Sequence, residues 1–219
     1  DQPNTIFWIL SLFSIPLLST NIGSLDPISL AWVKNLEYPK NSSGRDKRDT
    51  HLKDSERGFD IINAPQLKNL KQRIKTVVDY YTYNLLDVSA DVSFEFTTSW
   101  INRLEYGEKI DAHDHSNSVI SGVYYIEVGS NSSPITFLKN KQHLTTFPRS
   151  ANPTTNGKEW NQFNCDSMTK QPTNGDVLIF PSHLEHQVAP SQDKNYRYGL
   201  AFNLYCKGEI GNHSIKVNL

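Results

Sequence analysis

The sequence predicts a mainly β fold with flanking helices, built around an antiparallel barrel or sandwich. Three observations lead there. From residue 90 onward, apolar residues alternate with polar ones in short runs, separated by clusters of Gly, Pro, Asn and Ser. One long stretch, residues 64–86, carries apolar residues at helical spacing instead. The composition leans to strand formers, with 10 Tyr and 10 Phe against a single Met. A length of 219 residues suits one domain, 1–219, divided into an N-terminal strand and helical buttress (1–89) and a β core (90–206).

The elements follow in order. Residues 1–39 read as a strand, a turn and a short helix over Ser29–Leu36. The apolar run Ile6–Leu18 is shorter than the roughly 20 residues of a membrane span. It follows Asp1 rather than a basic segment and contains Pro16, so it reads as a core strand rather than a signal sequence. Residues 40–60 are polar and of mixed charge, the pattern of a solvated loop or a lid. In the helix 64–86, Pro65 suits the first position, and Leu67, Leu70, Ile74, Val77, Val78 and Tyr81 form one apolar stripe to pack on a sheet. Val92, Phe94 and Phe96 open a period-two run that continues through Trp100–Leu104. Further strands are expected at Val119–Val128, Pro134–Leu138, Asp176–Phe180 and Tyr198–Tyr205. The polar stretch 139–174 is long for a loop in a compact domain, which marks it as a second candidate lid.

Composition removes several function classes. Lys and Arg number 22 against 23 Asp and Glu, a net charge of −1, so binding of nucleic acid through bulk charge is not expected. Two cysteines, Cys165 and Cys206, are too few for a disulfide framework and read as reduced thiols in a cytoplasmic protein. The sequons at Asn41, Asn131 and Asn212 are then chance matches. The N-terminal strand is the natural candidate for a homodimer interface.

The informative residues are among the 7 histidines. In an extended segment residues i and i+2 point the same way, so His113 and His115 can aim at one point while Asp114 points away. Far downstream, Gly175-Asp176 opens an apolar strand that ends in Phe180-Pro181-Ser182, and His186 follows. Eleven residues later Arg197 begins another β segment. Three imidazoles from two distant strands plus one Arg is a layout for a mononuclear metal site that also binds an anion. Imidazole suits Fe, Zn, Cu and Ni, and a facial three-ligand set with open positions suits non-haem Fe(II). Asp111 or Asp114 is an alternative third ligand. His51, His143, His183 and His213 are not expected to bind metal, His183 because it falls on the turn before His186.

These residues carry a resemblance. The His-x-His pair followed by Ser121-Gly122-Val123-Tyr124-Tyr125-Ile126, the Phe180-Pro181-Ser182 before His186, and Arg197-Tyr198 leading to Phe202-Asn203 resemble the 2-oxoglutarate/Fe(II)-dependent oxygenases of the prolyl-hydroxylase-like superfamily. More narrowly they resemble the 2OG-Fe(II) oxygenases of marine bacteria and their phages. The resemblance spans residues 98–206, with a weaker match of Leu12-Phe13-Ser14-Ile15-Pro16 to that family's opening strand.

It implies a double-stranded β-helix (a jelly-roll or cupin-like core) over the catalytic half, with Fe(II) held by His113, His115 and His186. His115 stands where the wider superfamily has Asp or Glu, which leaves the iron site one unit more positive. The resemblance places Arg197 on the distal carboxylate of 2-oxoglutarate and Tyr125 on the same group, with Asn102 and Asn203 as further contacts. The implied reaction consumes 2-oxoglutarate and O2, yields succinate and CO2, and hydroxylates a substrate that the resemblance does not identify. Two other readings compete: a non-catalytic β-helix binding module, and a three-His metal dioxygenase that does not use 2-oxoglutarate. The intact three-His set argues against the first, and Arg197 against the second.

Overall fold

The computed structural model describes residues 14–39, 48–50, 60–139, 165–212 and 215–218. Leu18–Asn21 forms β1 and Pro27–Lys34 forms α1. The helix starts two residues before the sequence expectation because Asp26 caps it. The Asp26 carboxylate accepts the N–H of Ile28 and of Ser29 at 3.1 and 2.9 Å, and Pro27 supplies a fixed φ at the first position. Residues 6–13 lie outside the described residues, and Ile15 and Leu17 just after them are exposed.

Arg48–Thr50 is β2, the described part of the 40–60 loop. The expected helix 64–86 divides into three. A 3-10 turn over Pro65–Leu67 leads into α2, Lys68–Asp79, and the last turn widens into a π-helical segment, Tyr80–Leu85. All six stripe residues from Leu67 to Tyr81 are buried, as their spacing requires.

Nine further strands follow: β3 (Val92–Leu104), β4 (Ile110–His113), β5 (Ile120–Glu127), β6 (Ile135–Leu138), β7 (Ser167–Lys170), β8 (Asp176–Pro181), β9 (His186–Val188), β10 (Arg197–Asn212) and β11 (Ile215–Asn218). They pair into two antiparallel sheets. The large one runs β1-β8-β5-β10-β3-β2, with β11 paired to β10, and the small one runs β4-β9-β6-β7. From β3 to β10 the chain steps repeatedly from the large sheet to the small one and back. This is the double-stranded β-helix that the resemblance implies.

Each central strand of the large sheet is buried on both faces. In β5, Tyr124 and Ile126 join a core with the α2 stripe, while Tyr125 joins a second core with Ile135, Phe137 and Val188 of the small sheet. In β8, Val177 and Ile179 face the helices and Leu178 and Phe180 face the small sheet. One strand thus serves a structural core and a functional interior through its two parities.

β3 does this across a bulge. Asn203 pairs with Thr98 but Leu204 pairs with Phe96, so Thr97 is the extra residue. The bulge exchanges parity: Phe94 and Phe96 pack on the helix side, while beyond Thr97 the same even positions, Trp100, Asn102 and Leu104, face the small sheet.

The polar stretch 139–174 contains β7, which pairs with β6 as an edge strand. Its sequence, Ser-Met-Thr-Lys, has no apolar alternation to announce it. Residues 140–164, and with them most of the candidate lid, lie outside the described residues, as does most of 40–60. β10 continues past the expected end of the core at 206 to Asn212. Both cysteines are free. Among the described residues no helix is long and apolar enough to cross a membrane.

Candidate active site

His113 ends β4 and His186 begins β9, and the antiparallel pairing sets them directly opposite one another, ring centroids 4.4 Å apart. A bulge between Ile110 and His113 adjusts the β4 register so that this pairing is met. His115 lies two residues past the end of β4, with its ring 5.1 Å from that of His113 and 5.2 Å from that of His186. One ligand nitrogen from each of the three lies within 4.8 Å of the others. Sequence reasoning picked these three, and the fold brings them together.

Backbone carbonyls fix two of the imidazoles. Nδ1 of His113 lies 2.8 Å from the Asp111 carbonyl oxygen, and Nδ1 of His186 lies 2.8 Å from that of Leu184. A carbonyl only accepts, so each Nδ1 carries the proton and donates, leaving Nε2 with its lone pair for a metal. Phe180 packs edge-on against the His186 ring at 4.9 Å. The carboxylates stand aside: Asp111 is exposed and ion-paired to Lys109 at 2.9 Å, Asp114 is exposed, and neither joins the cluster. His183 is exposed on the turn, outside the cluster, while His51, His143 and His213 lie outside the described residues.

The three histidines line an open cavity between the two sheets. Its polar floor is Arg197, Tyr125 and Asn102, and its apolar walls include Ile110, Ile135, Phe180 and Val188. Arg197 is 3% exposed and Tyr125 is fully buried. The guanidinium lies over the tyrosine ring, 5.1 Å from its centroid. Among the described residues neither Arg197 Nε nor Tyr125 Oη has a hydrogen-bond partner. Among the described residues no carboxylate pairs with Arg197. Burial lowers the Arg197 pKa, though a guanidinium stays charged. Burial also pushes the Tyr125 phenol up to about 12, against the opposing pull of Arg197, so it remains a neutral O–H donor.

A buried cation beside an unsatisfied hydroxyl is costly unless something anionic meets both. A carboxylate of a small dicarboxylate fits that pair, and three imidazole nitrogens fit a divalent iron. The donor set is therefore compatible with Fe(II) and 2-oxoglutarate together.

Two other residues expected to touch the co-substrate differ in fate. Asn102 lines the cavity, and its side-chain oxygen accepts from Trp100 Nε1 at 3.1 Å. Asn203 is not a lining residue. Its oxygen accepts from Ser121 Oγ at 2.7 Å and its nitrogen donates to Thr98 Oγ1 at 3.0 Å, so both ends are engaged away from the cavity. Sequence reasoning missed Trp100, which is half-buried in the lining with its ring centroid 5.7 Å from that of His115. Its shared parity with Asn102 was the available signal. The small residues Gly199 and Ala201, which follow Arg197 on the same face of β10, were also missed.

Residues 98–203 match the family described as "Putative 2OG-Fe(II) oxygenase". These residues belong to the 2OG-Fe(II) oxygenase family. The chain is an oxidoreductase of the class whose cofactors are Fe(II) and 2-oxoglutarate. No curated protein matches it in sequence. Solved structures of this oxygenase class share the fold. A prolyl hydroxylase of Trichoplax adhaerens, in complex with a hypoxia inducible factor peptide fragment, has a TM-score of 0.56 at 12% identity over 86% of this chain and 83% of that chain. HygX of Streptomyces hygroscopicus, with nickel, 2-oxoglutarate and hygromycin B bound, has a TM-score of 0.56 at 13% identity, covering 87% of this oxygenase and 82% of HygX. A 2OG-Fe(II) oxygenase family oxidoreductase of Burkholderia pseudomallei has a TM-score of 0.53 at 12% identity, over 86% and 83% of the two chains.

Proposed function

We propose that this oxygenase hydroxylates a C–H bond of its substrate while converting 2-oxoglutarate to succinate and CO2. The carrying observation is Arg197, a buried cation with no carboxylate partner among the described residues, in the same cavity as the three-histidine cluster. His113, His115 and His186 are the iron ligands in this reading. Bound there, Fe(II) and 2-oxoglutarate supply the oxidising chemistry that uses O2 and delivers one oxygen atom to the substrate.

The protein's own part is placement. Arg197 presents a planar fork to the distal carboxylate of 2-oxoglutarate, and Tyr125 donates its O–H to the same group. The backbone carbonyls of Asp111 and Leu184 keep His113 and His186 in one tautomer and one orientation. Asn102 offers N–H donors along the cavity floor. Ile110, Ile135, Phe180 and Val188 keep water from the interior, which strengthens the charge–charge contact at Arg197.

An iron dioxygenase that uses no 2-oxoglutarate would also accept three imidazoles, but it has no need of the Arg197–Tyr125 pair. The test is anaerobic addition of Fe(II) and 2-oxoglutarate. A weak visible charge-transfer band is expected with the wild type and is lost on Arg197→Ala at limiting co-substrate. Absence of the band in the wild type, with no succinate formed in air, would overturn the reading.

A further inference from the structure

Buried hydroxyl groups behind the metal site form a chain whose direction can be worked out. Ser121 Oγ lies 2.7 Å from Asn203 Oδ1, which can only accept, so the Ser121 proton goes there. Ser182 Oγ lies 2.8 Å from Ser121 Oγ, and since that proton is already used, Ser182 must donate. Ser118 Oγ lies 2.8 Å from Ser182 Oγ, and the carbonyl oxygens of Ile120 and Leu204, at 3.1 and 3.2 Å, share the reach of its single proton. The chain then runs out through Asn203 Nδ2 to Thr98 Oγ1 at 3.0 Å. Ser121 and Ser182 are each 1% exposed.

The backbone of Ser182 joins this chain to the site. Its N–H donates to the Val119 carbonyl at 3.2 Å, and its own carbonyl accepts the N–H of His115 at 3.0 Å. His113 and His186 sit in paired strands, whereas His115 lies beyond β4 in the segment that crosses to β5. That segment turns through Asn117 in the left-handed region, at φ 56°. A ligand outside the sheet ladder needs another anchor, and the Ser182 carbonyl provides one.

We infer that Ser182 is a positioning residue for the third metal ligand. Its hydroxyl, held by Ser121 and in contact with Ser118, fixes the peptide that holds His115. The inference rests on the metal-binding reading of the three histidines. Partners of this kind around metal ligands affect metal affinity by about tenfold to a hundredfold.

The test uses the full chain and Co(II), followed by its visible ligand-field bands and by chelator competition. Ser182→Ala should weaken Co(II) binding by about tenfold and alter the bands. Ser182→Thr, which keeps the hydroxyl, should recover much of the loss. In a His115→Ala background, Ser182→Ala should add no further loss, because the ligand it positions is gone. Unchanged affinity and bands in Ser182→Ala, or the same loss in both backgrounds, would overturn the inference. If Ser182→Ala does not fold, Ser121→Ala removes the acceptor of the Ser182 hydroxyl and carries the same expectations. A wild type that binds no Co(II) would remove the metal reading itself, a different result from a wild type and variant that bind alike.

Discussion

The guanidinium of Arg197 lies over the ring of Tyr125, 5.1 Å from its centroid, with both side chains buried at the floor of one cavity. The ring face offers the cation some stabilisation, but it satisfies no N–H. Arg197 Nε and Tyr125 Oη both remain without hydrogen-bond partners among the described residues. Removing one partner of a buried charged contact costs about 2–5 kcal/mol. Arg197→Ala should therefore weaken 2-oxoglutarate binding by about a hundredfold and leave metal affinity nearly intact. Arg197→Lys should recover only part, since an ammonium lacks the planar fork. Calorimetric titration of 2-oxoglutarate against protein loaded with a redox-inert divalent metal checks this, and equal loss of metal and co-substrate would contradict the assigned role.

Tyr125→Phe separates stability from binding. Among the described residues the phenol O–H has no acceptor, so removing it deletes a buried unsatisfied donor. The variant should be as stable as the wild type, or more so, in urea denaturation. Its affinity for 2-oxoglutarate should fall by about threefold to tenfold, the worth of one hydrogen bond.

The buried tyrosines set the alkaline limit of stability. Burial raises Tyr125 and Tyr81 to about 12, and raises Tyr38 as well, whereas an unfolded tyrosine titrates near 10. The folded state thus favours the protonated phenol. That contribution is fully present below pH 10 and is lost as pH rises through about 12. Denaturation midpoints should hold steady between pH 8 and 9.5 and fall above 10, by less in Tyr125→Phe than in the wild type.

Single replacement of His113, His115 or His186 by Ala should lower Co(II) affinity by at least about tenfold, because each removes one donor of a three-donor site. His113 and His115 are only half-buried, so these two variants should keep the wild-type melting temperature in the absence of metal. Chelator competition and a thermal melt distinguish the two effects.

Gly122 is required by packing against Phe202. A Cβ at 122 would lie 2.4 Å from the Phe202 ring and 2.8 Å from the Leu178 carbonyl oxygen, too close for either to yield without a backbone shift. Gly122→Ala should cost about 1–3 kcal/mol, the usual range for overpacking. A lowered midpoint in urea with an unchanged slope would show it.

Much of the site was legible before the fold because its spacing is local. His113 and His115 share a side of an extended segment through the period of two alone, and the α2 stripe is buried because 3.6 residues make a turn. Asp26-Pro27 also announces the true start of α1, though the apolar pattern pointed two residues later. β7 carries no such local signal, since it is held by pairing with β6, and the contact that anchors His115 to Ser182 is equally invisible in local spacing.

The sequence by itself determined the donor chemistry: three imidazoles, one guanidinium and a strand-rich half in which both parities could be apolar. Those are properties of residue type and spacing, which the chain carries in any conformation. Only the tertiary structure decided which polar residues face the cavity. Asn102 and Asn203 look alike in sequence, yet the Thr97 bulge and the Ser121–Ser182 chain leave the first on the cavity floor and engage the second elsewhere. The reason is that Asn203 shares its side of β10 with Arg197 and Gly199, and what removes it from the cavity is its engagement by Ser121 and Thr98, residues far from it along the chain.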